Sequence, residues 1–515
     1  HESVLLDHPA RAQARAACRC RDSADAPVRA ACIASAQGGQ HVASGAAVGV
    51  LGGSGMSYAE FLARKFRSVA PAGIADEARG DIPMFEHQRV LVNWALRRGR
   101  CAIFADTGLG KTRMELAWAD AVHRHTGGDV LILTPLAVAK QMAEEGAAIG
   151  VNVAILREPS DVRPGVNVIN YDRLHKLDTD RFVGVVLDES SVIKHHNTKT
   201  LAALLTAFAR TPYRLCATAT PAPNDWTELG THAEFLGVCT RVEMLAEFFV
   251  HDGGETQTWR LKGHAKGEFW KWVAQWGAMV RKPSDLGFDD GAYNLPALTL
   301  HEHTVESINT GAGLFALEAA SLSERREARR DSIADRVAAC VEMVNSDPQP
   351  WVVWCDLNAE SDLLTAGIDG AIEVRGSQDV DEKQAALDAF AHGRSRVIVT
   401  KPSIAGWGLN WQHCARMAFV GVTDSWESYY QAVRRCWRFG QRRQVQVHIF
   451  ASEREGSVVA NLKRKEQDAQ AMAAALSLET RDAIRTAVLG TARQSNDYNP
   501  QARIIVPQWL RSEAA

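Results

Sequence analysis

The stretch from Cys101 to Thr112, CAIFADTGLGKT, constrains this chain more than any other. Apolar residues suited to a buried strand run into a turn punctuated by Gly108 and Gly110, and then into Lys111 and Thr112, where a helical pattern begins. A strand that feeds a tight glycine turn and a helix aims consecutive backbone N–H groups, and the positive end of the helix dipole, at one point. Polyphosphate fits such a cradle. The glycines let the backbone wrap closely, Lys111 reaches the β and γ oxygens, and the Thr112 hydroxyl suits magnesium. Ala105 stands where the general pattern has its first glycine. A chance glycine turn after a core strand is the alternative, and strand, spacing and the Lys-Thr ending together weigh against it.

With 515 residues the chain has room for two or three domains, and 46% hydrophobic with 23% charged residues is ordinary globular composition. The formal net charge of -3 means that no global field recruits nucleic acid, so any such binding needs local basic patches. The ten cysteines include no Cys-x-x-Cys pair, and Cys18 and Cys20 suit neither zinc nor a structural disulfide. A reducing cytosol is expected. No apolar run approaches the ~20 residues of a membrane span, and no signal peptide is evident.

Residues 1–55 are rich in small residues and arginine, lack hydrophobic periodicity and end in Gly52-Gly53-Ser54-Gly55 before Met56, the first methionine. They read as an unassigned arm, either disordered or non-native, with a natural start at Met56. From Met84 onward Phe85, Val90, Leu91, Trp94 and Ala95 have helical spacing, and Gln88 lies in that helix. After the loop, helical and strand patterns alternate: Met114 to Ala121, Val130 to Leu133, Val138 to Ala148, Val166 to Ile169, Val183 to Leu187. The alternation predicts a doubly wound α/β domain with right-handed crossovers. The strand Val183 to Leu187 ends in Asp188-Glu189-Ser190-Ser191, at the end of a parallel strand where ligands bind. There Asp188 would hold magnesium and Glu189 would polarise an attacking water. Leu215 to Ala217 delivers the hydroxyls of Thr218-Ala219-Thr220 to the same edge.

These pieces, in this order, resemble superfamily 2 helicases, and among them the Swi/Snf-type DNA translocases, including the short forms of bacteriophages and prophages. The resemblance covers about residues 80–465. ADTGLGKT is similar to that group's DEMGLGKT, LILTPLAV to its next motif, DESSVIK to DEAH-x-x-K, and ATATPAPND to TGTP-x-x-N. Two departures stand out: DESS in place of DEAH, and one arginine rather than two before Lys282. The resemblance implies two RecA-like parallel-sheet lobes of the P-loop NTPase kind with a helical insertion between them. It assigns Gln88 to the adenine edge and adds Thr107, Gly108, Gly110, Lys111 and Thr112 as nucleotide contacts.

The boundaries expected from the pattern are an ATP-binding lobe over 56–300 with the insertion at about 223–300, a connector over 301–330, a second lobe over 331–465 and a tail over 466–515. Ser323 to Arg330 reads as an exposed helical connector. Trp259, Trp270, Trp272 and Trp276 alternate with Arg260, Lys262, Lys266 and Lys271, a pattern open to nucleic-acid stacking. The i, i+4 spacing of Trp272 and Trp276 favours a core-facing stripe. In the second lobe, Gly406-Trp407-Gly408-Leu409-Asn410 resembles the family's Gly-x-Gly-Leu-Asn, which implies nucleotide contacts for Gly408 and Asn410; Trp407 and Trp411 read as packing residues. Gln431-Ala-x-x-Arg435-x-x-Arg438-x-Gly440-Gln441 resembles the Swi/Snf form of the arginine motif. It places Gln431 at the nucleotide and Arg435 and Arg438 one helical turn apart at the phosphates. Arg434, Arg442 and Arg443 read as solvated charge.

The expectation is therefore a two-lobed motor that uses ATP and Mg2+, with Lys111, Glu189, Arg435 and Arg438 catalytic, Thr112 and Asp188 at the metal, and DNA, in duplex form, as the partner. No membrane is involved. A strand-separating DNA or RNA helicase, the motor of a restriction-modification system, and a binding module with a vestigial ATPase are the rivals.

Overall fold

The computed structural model describes residues 70–135, 138–251, 259–305, 329–405, 410–423, 425–453 and 456–489. The arm 1–55, Gly406 to Leu409 with Trp407, and the tail from 490 lie outside the described residues.

The first sheet takes strands β1 (Arg100–Ala105), β2 (Asp129–Thr134), β3 (Val153–Ile155), β4 (Val166–Asn170), β5 (Phe182–Asp188), β6 (Tyr213–Ala217) and β9 (Gly277–Val280) in the order β3-β4-β2-β5-β6-β1-β9. Every pairing in it is parallel. Strands buried on both faces read as continuous apolar runs. In β1, Ala102 and Phe104 face one core while Cys101, Ile103 and Ala105 face the other. The short hairpin β7 (Phe249–His251) and β8 (Trp259–Leu261) is antiparallel. It belongs to the helical insertion together with helices Leu229–Leu236, Arg241–Phe248 and Lys266–Ala274. Trp270, Trp272 and Trp276 are buried there in the core of the first lobe.

The second sheet runs β10-β15-β14-β11-β13-β12, from β10 (Leu298–Val305), β11 (Trp351–Cys355), β12 (Ala371–Val374), β13 (Val397–Thr400), β14 (Arg416–Val420) and β15 (Val445–Ser452). It too is parallel throughout. The molecule is thus an α/β protein of two RecA-like parallel-sheet lobes, and the insertion, expected between them, lies within the first lobe between β6 and β9.

Four sequence expectations about organisation need correction. Strand β10 pairs with β15 along its whole length, so residues 298–305 belong to the second lobe and not to the end of the first or to a connector. As an edge strand it leaves His301 and Glu302 exposed, which makes it read as linker. Strand β9 lies at the edge of the first sheet, so residues 277–280 are not insertion. Arg329, expected to be exposed, is 7% exposed and donates to Asp356 Oδ2 at 2.8 Å and Val422 O at 2.7 Å. The boundary at 465 cuts a single helix, Gly456–Leu489. That helix starts in the second lobe's core with Val458 and Leu462, and packs Met472, Leu476 and Ile484 against the first lobe.

Beneath the second sheet, Arg336 and Glu360 form an ion pair of 2.9 Å with both side chains fully buried. Removing one partner of such a pair leaves an uncompensated charge in a low-dielectric interior. Arg336→Ala is therefore expected to destabilise the protein by about 3–5 kcal/mol in urea unfolding. A loss under about 1 kcal/mol, the range of a surface pair, would contradict the burial argument.

Candidate nucleotide-phosphate site

Strands β5, β6 and β1 are neighbours, so their carboxyl ends deliver three loops to one edge. After β1, the loop 106–110 passes through Gly108 (φ 93°) and Gly110 (φ 79°), and helix Lys111–Thr126 begins at once. Both glycines are required by more than their dihedrals. A Cβ on Gly108 would lie 3.1 Å from the backbone nitrogen of Phe439, and one on Gly110 would collide with the Gln88 amide. Lys111 Nζ donates to Ala105 O at 2.9 Å, folded back over its own loop.

After β5, Glu189 adopts φ 55° and ψ 54°, the one non-glycine residue in the left-handed region among the described residues. Strain of this kind persists where the surroundings over-determine it. Thr218, at the end of β6, donates its hydroxyl to Glu189 Oε1 at 2.6 Å, and Ser191 reaches the same oxygen at 3.4 Å. Ser190, which occupies a position where DESS departs from DEAH, is paired instead with the buried His232 at 3.1 Å. Tyr171 donates to the backbone carbonyl of Asp188 at 2.8 Å.

One cavity is lined by Thr107, Gly108, Gly110, Lys111, Thr112, Asp188 and Glu189 from the first lobe and by Gln431, Arg435 and Arg438 from the second. Burial, then the neighbouring Glu189 charge, pushes the Asp188 carboxyl up to about 7. Burial also raises Glu189, while Lys111 and the Thr218 hydroxyl oppose the rise. The sequence reading missed Glu115, on helix Lys111–Thr126. It is 1% exposed, and burial together with Asp188 raises its carboxyl well above the usual range. Only its place on the inner face of the helix hints at it. Raised carboxyls packed together are stabilised by a cation. Asp188 with the Thr112 hydroxyl fits the sparse protein ligation of Mg2+, which takes one or two carboxylates and completes its shell with phosphate oxygens and water.

Two expected contacts, Gln88 and Asn410, and one expected geometry, that of Arg435 and Arg438, are placed differently. Gln88 is 2% exposed and spends both ends of its amide inside the protein, accepting from Phe85 N and donating to Leu109 O, each at 2.9 Å. In this arrangement it braces the phosphate loop. Asn410 is exposed and does not line the cavity, and Gly408 lies outside the described residues. Arg435 and Arg438 do not share a helix face, because helix Trp426–Val433 ends before them. Tighter bonds, Arg435 N to Ala432 O and Cys436 N to Val433 O, both 3.2 Å, carry them through successive turns that still reach the cavity. Burial lowers the Arg435 guanidinium to about 10 and, with repulsion from Arg435 and Arg434, Arg438 to about 9.

Arg434 is not solvated. It is 3% exposed, pairs with Asp106 of the phosphate loop and lies against the rings of Tyr430 and Trp437, 5.5 and 4.9 Å from their centroids. Tyr430 donates to the same carboxylate. Glu427 accepts from Lys194 and, at 3.2 Å, from Thr220 Oγ1, while Gln431 Nε2 lies 3.4 Å from Glu189 Oε1. Among the described residues no cluster of three or more His, Cys, Asp or Glu could hold a metal by itself, and no helix is long and apolar enough to cross a membrane.

Comparison with curated proteins gives no match. The Sulfolobus solfataricus SWI2/SNF2 ATPase core in complex with dsDNA superposes at 18% identity and a TM-score of 0.38, covering 80% of this chain and 98% of that one, too loosely to place any residue. Residues 336–440, from the buried Arg336 to the turn that carries Arg435 and Arg438, match the family described as helicase conserved C-terminal domain.

Proposed function

We propose that this chain is an ATP-dependent DNA translocase that hydrolyses ATP between its two lobes and moves along duplex DNA. The observation that carries the reading is the convergence of Lys111, Thr112, Asp188 and Glu189 with Gln431, Arg435 and Arg438 on one cavity. Backbone N–H groups at the start of helix Lys111–Thr126 and Lys111 would hold the phosphates, with Thr112 and Asp188 holding Mg2+. The ion, when bound, neutralises charge on the phosphate oxygens. Glu189, aimed by its left-handed backbone and tethered to Thr218, would orient the attacking water. Arg435 and Arg438 would meet the transferring phosphoryl group from the opposite side. Because Gln431, 3.4 Å from Glu189 Oε1, and Arg435 and Arg438 line the same cavity as Lys111, a change at the phosphates would reach the second lobe directly. Each nucleotide state then favours a different lobe arrangement, which is what ratcheting along a strand requires.

Glu189→Gln is expected to keep nucleotide affinity within a few-fold while turnover falls by about 10²–10⁴, because the amide keeps the shape and loses the charge that orients water. Hydrolysis at the wild-type rate would remove Glu189 from that role.

The partner is tested by ATP hydrolysis measured with no nucleic acid, single-stranded DNA, duplex DNA and RNA. Stimulation by duplex is expected, and it should fall steeply with salt because contacts to backbone phosphates release counterions. Displacement of a triplex-forming third strand without unwinding of a forked duplex is expected on the sequence resemblance to Swi/Snf-type enzymes. Fork unwinding without triplex displacement would favour a conventional helicase, and stimulation by RNA alone would reject both.

A further inference from the structure

One face of helix Trp426–Val433 and the turn that follows carries every contact just described between the second lobe and the loops of the first. Glu427, Tyr430, Gln431 and Arg434 recur at helical spacing, and between them they meet the loops after β1, β5 and β6. Glu427 takes Lys194 and Thr220, and Gln431 approaches Glu189. Tyr430 and Arg434 both take Asp106, one carboxylate oxygen each. Asp106 differs from the other receiving groups in one respect. It belongs to the phosphate loop, yet neither it nor its partners Tyr430 and Arg434 line the cavity, so a phosphate in the cavity does not compete with Asp106 for them.

The charge around it makes that placement consequential. Lys111, Arg435 and Arg438 line the cavity beside the carboxyls of Asp188 and Glu189, and Arg438 is repelled by Arg435 and Arg434. The Asp106 and Arg434 pair adds an attraction across the lobe boundary outside the cavity. It is shielded by the Tyr430 and Trp437 rings, and Tyr430 in turn stacks on Trp426 at 4.9 Å. Arg434 also approaches Thr107 O at 3.5 Å, so the latched side chain touches the loop's backbone as well as its carboxylate.

We propose that Asp106, Arg434 and Tyr430 form an interlobe latch that holds the lobes together over the phosphate cavity without needing bound nucleotide. By fixing the turn after the helix, it keeps Arg435 and Arg438 at the cavity. The second statement rests on the reading of that cavity as the ATP site; the first does not. Arg434 is in this sense a positioning residue, acting through its neighbours.

The test uses the full chain with spin labels on unnatural amino acids at exposed Lys140 in the first lobe and Arg394 in the second. Distances are measured by pulsed EPR without nucleotide. Wild type is expected to give one narrow distribution. Asp106→Asn, nearly isosteric, and Arg434→Gln are expected to broaden it toward longer distances, and the double variant Asp106→Arg with Arg434→Asp to narrow it again. Tyr430→Phe, which removes one hydroxyl, should shift the distribution the same way by less and guards against a folding defect in the charge variants. Distributions in the single variants that match wild type would overturn the latch. ATP hydrolysis is the separate readout. The single variants should lose about tenfold or more in kcat with KM changed less, recovered in the double variant. Loss of distance control without any ATPase in wild type would reject the ATP reading and keep the latch. Intact distance control in the single variants with lost turnover would reject the latch and keep the ATP reading.

Discussion

Lys111→Ala is expected to reduce ATP turnover by at least about 10²–10³ while the sheet and its melting temperature are retained. Two effects add. The variant loses the ammonium group proposed to face the β and γ phosphates, which in the present arrangement donates to a neutral carbonyl, Ala105 O, from which a phosphate would draw it. Lys111 also lowers the carboxyls of Glu115, Asp188 and Glu189, each of which burial raises. Removing it lets all of them rise further, so a larger fraction is protonated at neutral pH, and a protonated Asp188 or Glu189 neither ligates a cation nor orients water well. Turnover and binding of a fluorescent nucleotide are measured side by side. Wild-type turnover in Lys111→Ala would dismiss the site assignment, and loss of the folded state would show that the lysine is structural.

Much of the first lobe is legible because its information is local. Buried parallel strands such as Val183 to Leu187 are short apolar runs, and the loop glycines answer a backbone demand that can be read from spacing alone. What escapes the sequence is whatever depends on a distant partner. Strand β10, Leu-Thr-Leu-His-Glu-His-Thr-Val, is polar over most of its length and nowhere fully buried, and its partner β15 comes only after the rest of the second sheet. Arg434 stands beside Arg435 in a basic run, where solvation is the ordinary expectation. Asp106, which buries it, lies in the opposite lobe. Gln88 was placed in the right helix, but its hydrogen bonds go to Phe85 and Leu109, a choice made by packing against Gly110. Helical spacing also misplaced Arg435 and Arg438, because the pattern carries no signal that the helix stops at Val433.

That stop bears on the second large effect. Arg435→Ala and Arg438→Ala are each expected to lower kcat by about 10³–10⁵ while nucleotide affinity changes far less. Arg435 is held in place by its own backbone neighbour, donating to Gln431 O at 2.9 Å and to Gln431 Oε1 at 3.0 Å. Its orientation is thereby set before any phosphate arrives, which is the condition under which a donor contributes most. Burial disfavours the charge on both guanidiniums, and repulsion from Arg435 and Arg434 adds to it at Arg438. A transferring phosphoryl group, whose negative charge spreads over its equatorial oxygens, relieves that penalty more than a bound ground-state nucleotide does. The interaction is therefore realised mainly in the transition state and appears in kcat. Arg438→Lys separates charge from shape: it keeps a cation and loses the planar fork, so it should fall between wild type and Arg438→Ala. Single-turnover rates and nucleotide dissociation constants for the three variants decide the matter. An affinity loss as large as the rate loss would mean that the arginines bind the nucleotide uniformly and that the transition-state role is wrong.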